Sequence, residues 1–275
     1  MFKKKKDQTY QSYWSISWNI FKKNKVAMVC LFIVILLCLI ALFAPLIAPY
    51  DPNKQVLTDR LMKPCGQHWF GTDDLGRDIF SRIIYGCRVS LSVGIISQII
   101  ATVIGYTMGV CAGYYGGKVD SVISFLIQVF SSFPFLLFAM AIMFVLGPGL
   151  INLYLALGLL GWASTARLIR GDVMRLKKME YIDACKVSGG NSFRIIMKHL
   201  LPNCLSTLIV TVTLGIPNAI MSEASLSFLG LGVKAPMASW GSMISFSQPY
   251  IRSATYYSVI PGLAIIITVL AFNML

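Results

Sequence analysis

Six apolar segments of about 20 residues each constrain the fold of this chain more than any other feature. They cover residues 26–48, 89–113, 121–146, 150–168, 201–222 and 257–275. A helix of about 20 apolar residues crosses a hydrocarbon core of about 30 Å. The sequence is 56% hydrophobic and 13% charged with a mean hydropathy of +0.71, a composition that excludes an ordinary soluble domain. We therefore predict an all-α, polytopic membrane protein with six transmembrane helices.

The net charge of +13 comes mainly from two groups of basic residues. One group of lysines precedes the first apolar segment: Lys3, Lys4, Lys5, Lys6, Lys22, Lys23 and Lys25. The other surrounds the connection between the fourth and fifth segments: Arg167, Arg170, Arg175, Lys177, Lys178, Lys186, Arg194 and Lys198. Six crossings place both groups on one side of the membrane, and the positive-inside rule makes that side cytoplasmic. Membrane orientation therefore explains the charge, and we expect no nucleic-acid partner.

The same topology predicts the organisation of the chain. Residues 1–25 form a cytoplasmic arm, and residues 26–275 form the transmembrane domain. Within that domain we predict an outer loop at 49–88 and a cytoplasmic connection at 169–200. Gly105, Gly109 and Gly113 recur at a spacing of four, which predicts close packing of the second helix against another helix.

Catalytic and metal-binding motifs are missing from the sequence. It contains no GxxxxGK[ST] phosphate loop and no HExxH, and His68 and His199 fall on opposite sides of the predicted membrane. We therefore expect no catalytic residue, no metal site and no cofactor in this chain. An ion-coupled carrier stays open as an alternative, although such carriers usually need intramembrane carboxylates and this chain has very few. A structural scaffold without transport is a third alternative.

The fifth segment carries three candidates for a pathway or gating role. Glu223 stands out at its outer end because burying a carboxylate in a membrane costs several kcal/mol unless the group is paired or hydrated. Pro217 permits a kink there, and Asn218 follows it. A structural contact at the end of a helix is the alternative for Glu223.

The cytoplasmic connection has the pattern of two short helices. Asp183, Ala184 and Gly189 present small surfaces, and the Gly189-Gly190 pair predicts the end of the first helix. Asn191 or Ser192 is predicted to cap the second. That helix has an apolar side and a basic side, formed by Ile195, Ile196 and Leu200 and by Arg194 and Lys198. The pattern favours a docking element for a soluble partner.

The outer loop contains a second polar motif. Thr72 followed by Asp73 and Asp74 predicts a helix start, because a hydroxyl cap and early carboxylates satisfy free N–H groups. An apolar stripe follows and predicts a helix lying along the membrane interface: Ile79, Phe80, Ile83 and Ile84. A solvated turn and contact with a partner protein both remain open here.

The cytoplasmic connection resembles the EAA loop of ABC importer permeases. The likeness rests on Asp183-Ala184-Cys185, on Gly189 four residues beyond Cys185, and on Leu201-Pro202 further along. The chain departs from the motif with Asp183 for Glu, Cys185 for the second Ala and His199 for Ile. Charge and small size are kept, so the resemblance implies that Asp183, Ala184, Cys185, Gly189, Arg194, Leu201 and Pro202 couple the chain to an ATPase.

Two further motifs resemble the dipeptide/oligopeptide/nickel permease family, and its second (C-type) subunit in particular. They are FGTDDLGRD at 70–78 with Ser81-Arg82, and EASLSFLGLG at 223–232 with Ser239-Trp240-Gly241. Together with the EAA-like loop they cover nearly the whole chain. The resemblance implies that contacts to a binding protein or a sister subunit involve Thr72, Asp73, Arg77, Asp78 and Trp240.

The resemblance implies a type I ABC importer permease in a bacterial cytoplasmic membrane, and a subunit that is not itself an enzyme. Its expected partners are a second homologous permease, two ATPases that bind ATP and Mg²⁺, an extracellular or periplasmic binding protein, and the lipid bilayer. Peptides are the expected substrates, and nickel or a metal–chelator complex is the alternative. Selectivity is expected to reside largely in the binding protein.

Overall fold

The computed structural model describes residues 13–275, so the first twelve residues of the predicted arm lie outside it. The described chain is a bundle of helices joined by short turns and one long loop. The helices are α1 (Tyr13–Lys23), α2 (Lys25–Leu42), α3 (Ala44–Ile47), α4 (Ile79–Tyr115), α5 (Gly117–Ser132), α6 (Phe135–Leu146), α7 (Leu150–Leu176), α8 (Glu180–Val187), α9 (Ser192–Ile195), α10 (Leu201–Phe228), α11 (Trp240–Ser247) and α12 (Thr255–Asn273).

Four helical stretches are long and apolar enough to cross a membrane. They are Lys25–Leu42, Ile79–Tyr115, Ser192–Phe228 and Thr255–Asn273. Helices α5 and α6 qualify as a fifth crossing if they count as one span, although they are bent by 90°. The bend lies at Pro134, the residue before α6, where the missing N–H and the fixed φ of proline end the helical path. Pro217 and Pro261 lie inside α10 and α12.

The predicted fourth span does form a helix, α7, but α7 is not apolar enough to be counted with these spans. Polar side chains interrupt its apolar run, among them Asn152, Tyr154, Ser164 and Thr165. Three of these four, Asn152 being the exception, line internal spaces described below. Within the predicted span of residues 150–168, Asn152 and Arg167, neither of which lines those spaces, are the residues that lower the mean hydropathy most.

The pairing of α4 with α7 forms the centre of the bundle, and it depends on the predicted glycine series. A Cβ atom at Gly105 would lie 2.8 Å from the carbonyl oxygen of Trp162, and one at Gly109 would lie 2.7 Å from that of Ala166. Gly113 approaches the backbone of Arg170 in the same way, at 2.9 Å. These positions confirm that the four-residue glycine spacing marks helix packing, here within the chain.

Helix α4 spans 37 residues, or about 55 Å at 1.5 Å per residue, and its two ends define the two ends of the molecule. We call the end that carries residues 48–78 the loop end, and the end that carries α8 the coupling end. Because α4 begins at Ile79, ahead of the predicted start at residue 89, the Ile79–Ile84 stripe forms its first turns. The predicted interfacial helix is therefore wrong.

Candidate functional site

Helix α8 is anchored at the coupling end by one buried side chain. Ile182 is fully buried in an apolar cluster with Val173 and Leu176 of α7 and Leu200 and Cys204 of the α10 segment. Cys185 packs against the same cluster from the next turn, with its Sγ 3.6 Å from Nε2 of His199. The short helix is thereby fixed to both helices between which it lies.

The opposite face of α8 is exposed. The Asp183 side chain is 64% exposed, Val187 is 90% exposed, and Ala184 lies between them on the surface. Lys186 Nζ donates a hydrogen bond to Asp183 Oδ1 at 2.8 Å, and this bond raises the pKa of the lysine amine. Of the predicted docking residues, Asp183 and Ala184 therefore share one small exposed surface with Lys186 and Val187, whereas Cys185 and Leu201 pack against the buried cluster.

Two glycines end α8, as predicted, but they do so for different reasons. Gly189 has a φ of +80°, a backbone conformation that favours glycine, while a Cβ there would meet open space. At Gly190 a Cβ would lie 2.7 Å from both the carbonyl oxygen and the Sγ of Cys185. Asn191 then caps α9 by accepting a hydrogen bond from the Arg194 N–H at 2.8 Å, which confirms one of the two predicted caps.

The segment after the glycines is continuous with α10. Ile195 and Leu200 are buried while Arg194 and Lys198 are exposed, as their spacing predicts. A π-helical turn at Ile196–Leu200 joins α9 to α10, and Pro202 lies in the first turn of α10. A proline there cannot donate to the preceding turn, so the wider turn accommodates it without breaking the helix. The helix therefore widens locally before Leu201-Pro202 and continues into α10.

A cavity of about 680 Å³ lies midway along the bundle between α4, α6, α7 and α10. Among the described residues, those that line it are all uncharged. The polar ones are Ser97 and Gln98 of α4, Ser164 and Thr165 of α7, and Thr211, Asn218, Ser222 and Ser225 of α10. Leu157, Leu168 and Leu214 are among the apolar ones. A cavity of this kind offers hydrogen bonds at several points without a fixed charge.

The three pathway candidates lie in different surroundings. Asn218 lines the cavity and is exposed. Pro217 is buried inside α10, and Glu223 is fully buried away from the cavity lining. Oε1 of Glu223 accepts hydrogen bonds from Ser227 Oγ and Ser239 Oγ, both at 2.6 Å, and Oε2 is buried without a partner among the described residues. Of the two alternatives for Glu223, these contacts favour the structural one.

The FGTDDLGRD motif at the loop end forms a compact turn stabilised by buried ion pairs. Asp73 accepts hydrogen bonds from the N–H groups of Leu75 and Arg77 at 2.9 Å each, and from Arg77 Nε at 2.6 Å. Arg82 Nε lies 3.4 Å from the same carboxylate. The Thr72 hydroxyl bonds within the loop, to Asp59 and Met62.

The cap of α4 is Asp78, whose Oδ2 accepts hydrogen bonds from the Ser81 N–H at 2.7 Å and the Ser81 hydroxyl at 2.8 Å. The predicted helix start at Thr72 is therefore wrong by six residues. The carboxylate of Asp73 turns inward, where it accepts hydrogen bonds from the turn and from Arg77 and lies within ion-pair distance of Arg82, so it does not lie in the first turn of a helix.

The five residues expected to contact a binding protein or sister subunit are all buried in this chain. Thr72 and Asp73 are fully buried, and Arg77, Asp78 and Trp240 are at most 6% exposed. Trp240 donates from its backbone N–H to Ser90 Oγ at 3.2 Å and from Nε1 to the Ile83 carbonyl at 3.1 Å. Their side chains hold the loop end together, so they are not themselves a surface for a partner.

Sequence reasoning missed the polar cavity lining. The available signal was polar residues at helical spacing within apolar spans. On α7 the cavity side follows Leu157, Gly161, Ser164 and Leu168, at spacings of three or four residues that place them on one helix face.

A bundle of membrane-spanning helices around an uncharged cavity, with an exposed short helix at one end, is typical of the membrane component of a transport system. The chain belongs to the family described as binding-protein-dependent transport system inner membrane component, which it matches over residues 101–275. Residues 12–64 match the N-terminal TM domain of oligopeptide transport permease C. The resemblance to ABC importer permeases is confirmed.

Several curated proteins are similar over almost the whole chain. The dipeptide transport system permease protein DppC of Bacillus subtilis is 44% identical over 265 residues, covering 96% of this chain and 83% of the relative. The oligopeptide transport system permease protein OppC of the same organism is 39% identical, covering 96% and 86%. The glutathione transport system permease protein GsiD of Pectobacterium atrosepticum is 39% identical, covering 98% and 90%.

The fold is shared with a solved transporter. A chain of the MetNI methionine ABC transporter in an inward-facing conformation superposes with a TM-score of 0.58 at 19% identity. The alignment covers 71% of this chain and 93% of that chain. This likeness confirms the predicted permease architecture.

Proposed function

We propose that this chain is the membrane-spanning permease subunit of an ATP-driven, binding-protein-dependent importer of small peptides. The names of its relatives refer to a dipeptide, an oligopeptide and glutathione, which are all small peptides. These names support peptides over the nickel alternative. Membership of the family supports a role in binding-protein-dependent transport over an ion-coupled carrier or a scaffold.

One observation carries the mechanism: the two helices that flank the coupling segment also line the cavity. Helix α7 leads into α8, and α10 follows from it through the π-helical turn. The same two helices contribute most of the cavity lining, including Thr165 and Asn218. Ile182 packs between them, so a force applied to α8 acts on both cavity walls.

The exposed face of α8, around Ala184, is proposed to enter a groove on one ATPase subunit. Closure of two ATPases around ATP and Mg²⁺ would then move α8 and with it the ends of α7 and α10. A second, homologous permease would complete the pathway opposite this chain. The basic residues of the coupling end support a cytoplasmic location for it by the positive-inside rule, and the loop end is then left for the binding protein.

The chemistry of the cavity suits a substrate that is defined by its backbone. Peptides of different sequence share amide groups, which exchange hydrogen bonds with hydroxyl and amide side chains such as Gln98, Thr211 and Asn218. Uncharged lining residues bind such groups weakly and at several points, so passage does not require one particular side chain. Selection among peptides is therefore assigned to the binding protein.

Uptake of labelled tripeptide and labelled nickel, side by side in cells with and without the gene, tests the substrate class. We expect tripeptide uptake to be lost and nickel uptake to be unchanged. Loss of nickel uptake with tripeptide uptake intact would move the chain to the metal branch of the family.

A further inference from the structure

A second space, of about 380 Å³, lies at the loop end between the start of α4, the start of α7 and the segment before α11. Its walls include Tyr85, Arg88 and Ser92 from α4, Tyr154 from α7, and Asn53 and Met237 from the flanking loops. Ser92 Oγ and Tyr154 Oη are 2.8 Å apart, a hydrogen bond that joins α4 to α7 across the space. We call this space the entry pocket.

The FGTDDLGRD motif with Arg82, and the Glu223 motif with Ser239, both hold the walls of the entry pocket in place. Arg82, paired with Asp73, donates a hydrogen bond from Nη1 to the carbonyl oxygen of Pro52 at 3.0 Å and so fixes the loop beside Asn53. Ala238, which also lines the pocket, precedes Ser239, whose hydroxyl is bound by Glu223. Arg82 therefore positions the wall at Pro52 and Asn53, and Glu223 positions the wall at Ala238.

Arg88 gives the entry pocket its charge. Its side chain is exposed, and it belongs to none of the ion pairs that the described residues form. It is also the one charged side chain among the described residues that line either this pocket or the central cavity. A guanidinium group in this position is suited to a planar carboxylate, with which it forms two parallel hydrogen bonds.

One face of α7 borders both spaces. Leu150 and Tyr154 line the entry pocket, and Leu157 and Gly161 line the central cavity. Successive spacings of four, three and four residues place all of them on the same side of the helix. The two spaces therefore border the same side of α7, and packed apolar side chains that include Val93 and Leu157 separate them.

We infer that the entry pocket is a subsite for the C-terminal carboxylate of an incoming peptide, with Arg88 as the binding group. Tyr85 and Tyr154 offer aromatic faces and hydroxyls to the last peptide residue. This inference rests on the proposed function as a peptide importer.

The test uses the complete importer in proteoliposomes, with both permeases, the ATPases and the binding protein. Uptake of labelled trialanine is measured below saturation for the wild type, Arg88→Gln and Arg88→Lys. A tripeptide ending in photoreactive benzoylphenylalanine maps which residues lie near the C-terminal end. Arg252→Gln is the control, since Arg252 is exposed beyond the entry pocket, just before α12. Affinity of the loaded binding protein for the importer is measured for each variant.

We expect Arg88→Gln to reduce uptake and photolabelling around Tyr154 by about tenfold, the effect of losing a charge-assisted hydrogen bond. Arg88→Lys keeps a positive charge without the planar geometry, so its uptake and photolabelling should lie between those of the wild type and Arg88→Gln. Arg252→Gln should match the wild type in both. Unchanged uptake and labelling in Arg88→Gln would overturn the inference. Weaker docking of the binding protein with normal labelling in the bound complex would also overturn it, by assigning Arg88 to protein contact. A wild-type importer that takes up no tripeptide would overturn the proposed function as well.

Discussion

Ser239 Oγ donates a hydrogen bond to Oε1 of Glu223 at 2.6 Å, and this bond joins α10 to the first turn of α11. Ser239 is also the cap of α11, forming a reciprocal capping box with Ser242. The carboxylate therefore fixes the start of a helix that lies 16 residues further along the chain.

Glu223→Ala leaves the hydroxyls of Ser227 and Ser239 without their buried acceptor. Each unsatisfied group costs about 1–3 kcal/mol, so we expect a clear fall in the thermal unfolding temperature of the purified protein in detergent. Glu223→Gln is the matched control because it keeps the oxygen that accepts both bonds. A Glu223→Ala protein as stable as the wild type would contradict a structural role for this carboxylate.

The contact between α4 and α7 predicts opposite effects for two Gly→Ala changes. A Cβ at Gly109 would lie 2.7 Å from the Ala166 carbonyl oxygen, so Gly109→Ala must push the helices apart and destabilise the protein. Gly171 is an exposed position inside α7 where a Cβ meets open space. Gly171→Ala should be neutral or stabilise by up to about 1 kcal/mol. Thermal unfolding in detergent distinguishes the two, and equal effects would refute this packing.

The two glycines after α8 should also respond differently. Gly190→Ala brings a methyl group against Cys185 and should displace the end of α8. Gly189→Asn should be tolerated, because asparagine adopts positive φ more readily than other residues and the space there is open. A cysteine placed at Val187, which is exposed, reports the difference through its rate of thiol labelling. If backbone conformation alone decided the outcome, Gly189→Asn would change the labelling rate more than Gly190→Ala, and that result would contradict the packing explanation.

The Asp73 carboxylate is expected to hold the loop of residues 48–78 in its folded form. Asp73→Ala leaves Arg77 and Arg82 as buried guanidinium groups without this partner, at a cost of about 3–5 kcal/mol. Trypsin should then cleave faster at Lys54, Arg60 and Lys63 within the loop. Thr58→Ala changes an exposed side chain of the same loop and should leave the cleavage rate unchanged. Equal rates in both variants would show that the network does not hold the loop.

The sequence predicted the helices better than it predicted their limits. Apolar segments locate the membrane spans because burial in lipid requires them over a full crossing. Apolar segments locate the ends of the helices poorly. Helix α4 continues as a regular helix through Arg82 and Arg88, where the hydropathy of the sequence falls. Helix α7 shows the opposite limit, because Asn152 and Arg167 lower its hydropathy below that of the other spans although it forms one regular helix.

The candidate sites differ in how far the sequence could define them. The coupling segment is local, so glycine conformation, the Asn191 cap and alternating apolar and basic residues were enough to predict its form. The role of the FGTDDLGRD motif depends on tertiary contacts, and the burial of Asp73 against Arg82 cannot be read from spacing. A polar motif within a loop indicated an exposed contact surface, whereas Asp73, Arg77 and Asp78 are buried in the interior of the loop.

Replacement of Ala184 by tryptophan tests the central claim, that α8 couples ATPase movement to the cavity walls. ATP-driven tripeptide uptake is measured in proteoliposomes containing the complete importer, together with co-purification of the ATPases. Lys118→Trp, an exposed position on α5 at the coupling end, is the control for added bulk. We predict that Ala184→Trp inserts normally but loses uptake and ATPase association, while Lys118→Trp retains both. Uptake at the wild-type rate in Ala184→Trp would contradict the account.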